Sequence, residues 1–207
     1  MDNRISFTAE EMARLADTEF FRAKSQISAK IRVSLEQLHR AFQLELAGRN
    51  LLAPRGYDPK SVQFVKGENL EDFPYQYLDF PRHYTREEKF SFRSLFWWGH
   101  HVVFALILEG SSIRQYKQNV INRYPTLADQ GISLCLSPSL WEWKAGPGYT
   151  LDFTHDRKSE VAAVLANRSS FKIAHFVPMT DPLVQSGEYV SVGQAKFRAM
   201  LSIITPP

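Results

Sequence analysis

The feature that constrains this chain most is an apolar run from Phe96 to Leu108. Most of its residues are Val, Phe, Trp, Ile and Leu, and after His101 apolar side chains occupy both alternating sets of positions. Successive side chains of a strand point to opposite faces of a sheet, so a strand with this pattern is covered on both faces. The sequence therefore predicts a central strand with a layer of structure on either side.

A long amphipathic helix is predicted ahead of the sheet. Thr8 and Glu11 have the spacing of a capping box, in which each side chain binds the backbone amide of the other residue. The apolar positions that follow recur at spacings of four and three, which places them on one helical stripe: Ile27, Ile31, Leu35, Leu38, Phe42 and Leu46. Gly48 ends the pattern. The stripe either packs on the rest of the protein or joins two subunits as a short coiled coil.

The rest of the chain predicts strands mixed with helices. Residues 49–88 are punctuated by prolines and glycines, which leaves room only for short strands. The later patterns predict a helix ending near Pro125, strands at 132–136, 140–144, 149–153 and 171–177, a helix through Val161 and Leu165, and a last helix at 194–203. The strands at 140–144 and 149–153 read as a hairpin.

These elements predict an α+β fold class, with a mixed or mainly antiparallel sheet, packed helices and a long N-terminal helical arm. We divide the chain into an arm, residues 1–48, that packs on an α+β domain, residues 49–207. A chain of 207 residues is long enough to bury a sizeable core without disulfides.

Charge and cysteine content restrict the function. The net charge is +3 and is spread along the chain, so charge does not predict nucleic-acid binding. The single cysteine, Cys135, lies in an apolar stretch and can form neither an internal disulfide nor a multi-cysteine zinc site. There is no secretory signal pattern, and the longest uncharged stretch, residues 94–108, is shorter than a membrane span. We therefore expect a soluble, cytoplasmic protein without a membrane partner.

The densest mixture of cations, imidazoles and large rings lies between Asp79 and His101. Guanidinium groups bind phosphate or carboxylate with paired hydrogen bonds, and indoles stack on bases or sugars. The mixture predicts a site for an anionic or nucleotide-like ligand, with five candidate residues: Arg82, His83, Arg93, Trp98 and His100. The alternative is that the tryptophans pack in the core and the cations lie in solvent.

A second pattern is Glu142-x-Lys144, which on a strand places both side chains on one face. It resembles the Asp/Glu-x-Lys element of metal-dependent nucleases, in which acidic residues hold Mg²⁺ and a lysine positions the attacking water. The resemblance implies Asp129 as the upstream acid and phosphodiester hydrolysis as the reaction. No Pro-Asp pair precedes the element, and Glu-x-Lys also forms ordinary ion pairs.

Several large enzyme classes are excluded, because the chain contains no Walker loop, Rossmann glycine fingerprint, Gly-x-Ser-x-Gly elbow or His-Glu-x-x-His. Neighbouring histidines on a strand face opposite sides, so His100 and His101 cannot share a metal ion, and no metal site or cofactor is predicted. The sequence favours a ligand- or partner-binding domain. The alternatives are the nuclease and a structural protein that forms homodimers through its N-terminal helix.

Overall fold

A seven-stranded antiparallel sheet forms the centre of the protein in a computed structural model, which describes residues 4–206. The strands are Gln63–Leu70 (β1), Phe73–Tyr84 (β2), Lys89–Trp97 (β3), His101–Glu109 (β4), Ser133–Cys135 (β5), Thr150–Asp152 (β6) and Ser170–Pro178 (β7). Their order across the sheet is β1-β2-β3-β4-β7-β5-β6. The α+β class predicted from the sequence is confirmed.

Residues 4–206 also form seven α-helices. They are Ala9–Leu15 (α1), Thr18–Leu46 (α2), Ile113–Asn122 (α3), Tyr124–Leu127 (α4), Lys158–Ala166 (α5), Pro182–Ser186 (α6) and Tyr189–Leu201 (α7). The capping box is present at α1, since the Thr8 amide donates to Glu11 at 2.7 Å and the Glu11 amide donates to the Thr8 hydroxyl at 3.2 Å. The long helix α2 matches the predicted N-terminal arm, of which Met1, Asp2 and Asn3 lie outside the described residues.

The apolar run from Phe96 to Leu108 is not one strand. It contains the end of β3, a turn and most of β4, and Gly99 adopts a φ of +74° in the turn. The apolar pattern hid this turn because Trp98 and His100, on either side of the glycine, are not typical turn residues. The expected central strand is β4, whose residues 102–108 are buried.

The segment 140–144 was predicted as a strand and is instead part of the connection between β5 and β6. The Glu142 carboxylate accepts hydrogen bonds from the amides of Trp143, at 2.9 Å, and Lys144, at 3.0 Å. This local capping withdraws both amides from strand pairing. The hairpin partner of β6 is β5, so residues 136–149 form a loop that packs on the sheet.

One face of the sheet, here called the first face, is covered by α2 and α7. The middle of the apolar stripe is buried on this face: Ile31, Leu35, Leu38 and Phe42 are each no more than 7% exposed. The Phe42 ring lies 5.2 Å from the ring of Phe92 in β3 and 4.2 Å from the ring of Phe197 in α7. The stripe therefore packs on the domain over these residues.

The close approach of α7 to the sheet requires a glycine. A Cβ added at Gly193 would lie 2.4 Å from the ring of Phe104 and 2.9 Å from the side chain of Leu38. Toward the N-terminus the apolar side chains leave the core: Ile27 is 44% exposed and Phe20 is 54% exposed. Dimerisation through this part of the arm stays a prediction.

The opposite face, the second face, is covered by the loop 136–149 and contains a buried ion pair. The Arg93 guanidinium donates to both carboxylate oxygens of Asp79, at 2.7 and 2.6 Å. Asp79 is 0% exposed and Arg93 is 7% exposed. The guanidinium carbon also lies 3.7 Å from the ring centroid of Tyr77 and 5.2 Å from that of Trp141. This pair joins β2 to β3.

Removing one charge of this pair should destabilise the fold strongly. We expect Asp79→Asn to lower the free energy of unfolding by about 3–5 kcal/mol, because the buried guanidinium loses its counter-charge. Urea denaturation measures the loss. The control is Glu68→Gln, which removes an ion pair with Lys24 in which the Glu68 side chain is 56% exposed. Its expected cost is below about 1 kcal/mol, and equal losses in the two variants would contradict this account.

Candidate ligand-binding pocket

The five residues predicted to bind an anionic ligand do not meet at one place. Arg82 and Arg93 lie on the second face, and His83 lies on the first, because it pairs with the buried Phe90 across β2 and β3. Trp98 and His100 lie in the turn between β3 and β4. Arg82 pairs with Ser91 of β3, and the six residues 92–97 separate Ser91 from the turn, a distance of about 20 Å along the strand.

Four of these five side chains have contacts within the protein. Arg93 binds Asp79, whereas Arg82 donates to the Ser61 hydroxyl at 3.4 Å and lies over the ring of Tyr84 at 5.2 Å. The His100 ring stacks on the Trp97 ring, with centroids 3.8 Å apart. Trp98 packs against the first-face core. A ligand-binding role for the set stays a prediction.

The three residues of the nuclease pattern contact three different partners. The Asp129 carboxylate lies 3.3 Å from His155, and the Lys144 ammonium lies 3.2 Å from Glu71. The Glu142 carboxylate binds backbone amides of its own loop. Within residues 4–206, no group of three or more His, Cys, Asp or Glu side chains is suited to hold a metal ion. Phosphodiester hydrolysis therefore stays a prediction without a metal site to support it.

Lys172 of β7, which sequence reasoning missed, secures the loop 136–149. Its ammonium donates to the backbone carbonyls of Leu140, at 3.0 Å, and Glu142, and lies 3.8 Å from the ring centroid of Trp143. The side chain is 1% exposed, and burial lowers the pKa of its amine to about 8. The only signal in the sequence was a lysine between Phe171 and Ile173 in an apolar strand.

The lowered pKa of Lys172 should make stability depend on pH. The pKa of the Lys172 amine is about 8 in the folded protein and has its ordinary value of 10.5 in the unfolded chain. Between pH 8 and pH 10.5, the amine is therefore protonated in the unfolded chain and neutral in the folded protein. The contribution of Lys172 to the free energy of unfolding therefore rises as pH rises through this interval and is lost as pH falls. We expect Lys172→Met to flatten this slope in urea denaturation, and the exposed control Lys30→Met to keep it. An unchanged slope in Lys172→Met would exclude the lysine as its source.

A cavity with a mixed apolar and cationic lining lies beside the C-terminal end of α2. We call it the α2 pocket. It has a volume of about 430 Å³ and lies between α2, the connection 47–60 and Phe80 of β2. Its apolar wall includes Leu46, Leu51 and Phe80. Pockets for drug-sized ligands have volumes of about 300–1,000 Å³, so this cavity is large enough for a small organic molecule.

Hydrogen bonds hold the connection 47–60 in place around this pocket. The Leu52 amide donates to the Ile204 carbonyl at 2.8 Å, and the hydroxyl of Tyr116 in α3 donates to the Leu52 carbonyl. The Tyr57 amide donates to the Pro54 carbonyl at 3.1 Å, which closes a turn. The connection is therefore tied both to α3 and to the C-terminal segment.

The charged residues that line the α2 pocket are cations, Arg49 and Lys60. No carboxylate is among the described residues of the lining. Two acids are close in the chain but do not belong to the lining: Asp58 accepts from the Lys60 amide at 2.9 Å, and Glu45 accepts from the Arg198 guanidinium, with Nε at 3.1 Å. Although the Arg49 Nε donates to the Glu45 carbonyl at 2.6 Å, its guanidinium keeps its charge at the rim. The rim therefore favours an anion.

Tyr57 gives the α2 pocket a buried hydrogen-bonding group. Its ring packs edge-on against Phe90 at 5.4 Å, and its hydroxyl is buried without a hydrogen-bond partner in the part of the chain that the structure describes. Burial, with the charge of Asp58, raises the pKa of this hydroxyl to about 12, so it is a donor at neutral pH. An unpartnered buried hydroxyl costs about 1–3 kcal/mol, which a ligand acceptor would relieve.

Sequence reasoning missed this pocket because its residues come from separate elements. Arg49, Tyr57 and Lys60 lie in a segment that reads only as a proline- and glycine-rich connection, and Phe80 lies 20 residues beyond Lys60. No spacing rule joins them, since they meet only when α2 packs along β2.

Comparisons of the chain with protein-family models, with curated proteins and with solved structures gave no match. Over residues 4–206, none of the helices combines the length and the apolar character needed to cross a membrane.

Proposed function

We propose that this protein binds a small ligand with an anionic group and an apolar body in the α2 pocket. The observation that carries the proposal is the buried, unpartnered hydroxyl of Tyr57, a residue whose pocket lining also contains Arg49 and Lys60. The anionic group would accept hydrogen bonds from the hydroxyl and the two cations. The apolar body would pack against Leu46 and Phe80, which form part of the wall.

This proposal keeps the anionic ligand expected from the sequence and moves its site. Arg82, one of the residues expected to bind it, contacts Ser61, the neighbour of Lys60, but its guanidinium lies on the second face. The net charge of +3 gives no support to nucleic acid as the partner. A cytoplasmic location, favoured by the single buried thiol of Cys135, remains part of the proposal.

The first test compares two probes of similar shape, 4-phenylbutyrate and the neutral 4-phenylbutanol, by isothermal titration calorimetry. We expect the carboxylate to bind at least about 10-fold tighter, because a hydrogen bond to a charged group contributes about 1.5–3 kcal/mol. Lys60→Gln should weaken the binding of 4-phenylbutyrate about 10-fold and leave the affinity for 4-phenylbutanol unchanged. Lys30→Gln, on the exposed side of α2, is the matched control for the lost charge.

Tyr57→Phe separates a ligand-binding role from a structural role. The phenylalanine removes a buried hydroxyl that has no partner within residues 4–206, so the free energy of unfolding should stay the same or rise. Carboxylate affinity should nevertheless fall several-fold. Equal affinities for carboxylate and alcohol would contradict the proposal. If Trp98→Ala loses binding and Lys60→Gln does not, the ligand binds at the turn between β3 and β4 and not in the α2 pocket.

A further inference from the structure

A second cavity lies on the same flank of α2, nearer the N-terminal end of the helix. We call it the Gln76 pocket. Its volume is about 430 Å³, and it is formed where α2 crosses β1 and β2. Leu35, Phe64 and Val65 supply its apolar wall. Leu35 and Leu46 mark the two cavities on α2, and their separation of eleven residue positions along the helix corresponds to about 16 Å.

Gln76 gives this cavity an unpartnered donor. The residue is 5% exposed, and its side-chain nitrogen is buried without a hydrogen-bond partner among the residues that the structure describes. An amide nitrogen has two hydrogens to donate, and leaving a buried one unpaired is unfavourable. Gln76 lines the cavity, and a ligand acceptor that reached this nitrogen would bind it.

The charges around the Gln76 pocket also favour an acceptor. Its charged lining residues are Arg32 and Lys66, and the described lining contains no carboxylate. Arg32 is bound to Glu36 at 2.7 Å and lies over the ring of Phe64 at 3.8 Å, whereas Lys66 is exposed at the edge strand β1. The lining thus combines an apolar wall, a cationic rim and a buried donor, as in the α2 pocket.

The ring of His39 stands between the two cavities. It packs edge-on against Phe80, which lines the α2 pocket, at 4.6 Å, and against Phe64, which lines the Gln76 pocket, at 5.9 Å. Its Nε2 atom is buried and unpartnered within residues 4–206. His39 therefore contacts one residue from the lining of each cavity.

We infer that the two cavities are the ends of one groove, which takes an elongated apolar molecule with a hydrogen-bond acceptor at each end, the chemistry of a long-chain α,ω-dicarboxylate. One end group would bind Tyr57 and Lys60, and the other would bind Gln76 and Lys66. The chain between them would displace the His39 ring and pack on the apolar flank of α2. This inference depends on the proposed function of the α2 pocket.

The experiment measures affinities for dicarboxylates and for monocarboxylates of equal length by calorimetry. The pairs are suberate with octanoate, dodecanedioate with dodecanoate, and hexadecanedioate with hexadecanoate. A second end group helps only when the chain reaches the second cavity. We therefore expect an advantage of at least about 10-fold for the longer diacids and none for suberate, because each added charge-assisted hydrogen bond contributes about 1.5–3 kcal/mol.

Gln76→Leu tests the far end of the groove, with Gln118→Leu, on the exposed side of α3, as its control. The variant should abolish the advantage of the long diacids and leave the affinity for 4-phenylbutyrate unchanged. Because the buried amide nitrogen has no partner in the described chain, its removal should not lower the free energy of unfolding. His39→Ala should keep or increase the advantage.

The outcomes separate the two proposals. An absent diacid advantage, or one that survives Gln76→Leu, overturns the single groove, while Lys60-dependent binding of 4-phenylbutyrate would leave the function of the α2 pocket intact. Failure of every carboxylate to bind overturns both. If binding of the long diacids depends on Gln76 and not on Lys60, the proposed function of the α2 pocket is wrong, and so is the inference of a groove with two binding ends.

Discussion

The packing of α2 along the first face of the sheet is the interaction on which the rest of the structure depends. Residues 31–42 of the helix bury their apolar stripe there, and Gly193 lets α7 approach closely enough to complete the layer. Because the helix is longer than the strip of sheet that it covers, its flank forms walls with β1, β2 and the connection 47–60. Both cavities lie along this flank.

The buried ion pair and the buried lysine of the second face differ in their pairing from two buried polar atoms along α2. On the second face, Asp79 binds Arg93 and Lys172 binds two backbone carbonyls, so the charges are paired and hold the loop 136–149 against the strands. Along α2, the buried polar atoms of Tyr57 and Gln76 have no partners among the described residues. The paired groups hold the loop 136–149 and the strands together, and the unpaired atoms of Tyr57 and Gln76 are the basis of the proposed binding sites.

The sequence predicted those features that depend on local periodicity. The α2 stripe, the capping box at Thr8 and the strand at 171–177 follow from the spacing of apolar and capping residues, and they are confirmed. The turn at Gly99 was missed because the surrounding residues are aromatic and apolar. Residues 140–144 alternate like a strand, but the capping of two amides by Glu142 could be seen only in the structure.

The site was harder to predict than the fold, because composition does not reveal pairing. Arg93 looked available for a ligand, yet strand register places Asp79 beside it. Tyr57 and Lys60 looked like connection residues, yet they meet Phe80 across the end of α2. The surroundings of each residue depend on a contact with a residue distant in sequence.

A crystal structure of the protein with bound 4-phenylbutyrate tests the central claim most directly. The account predicts the carboxylate within hydrogen-bonding distance of the Tyr57 hydroxyl and the Lys60 ammonium, with the phenyl ring against Leu46 and Phe80. A probe bound on the second face or at the turn between β3 and β4, with the Tyr57 hydroxyl still unpaired, would contradict it.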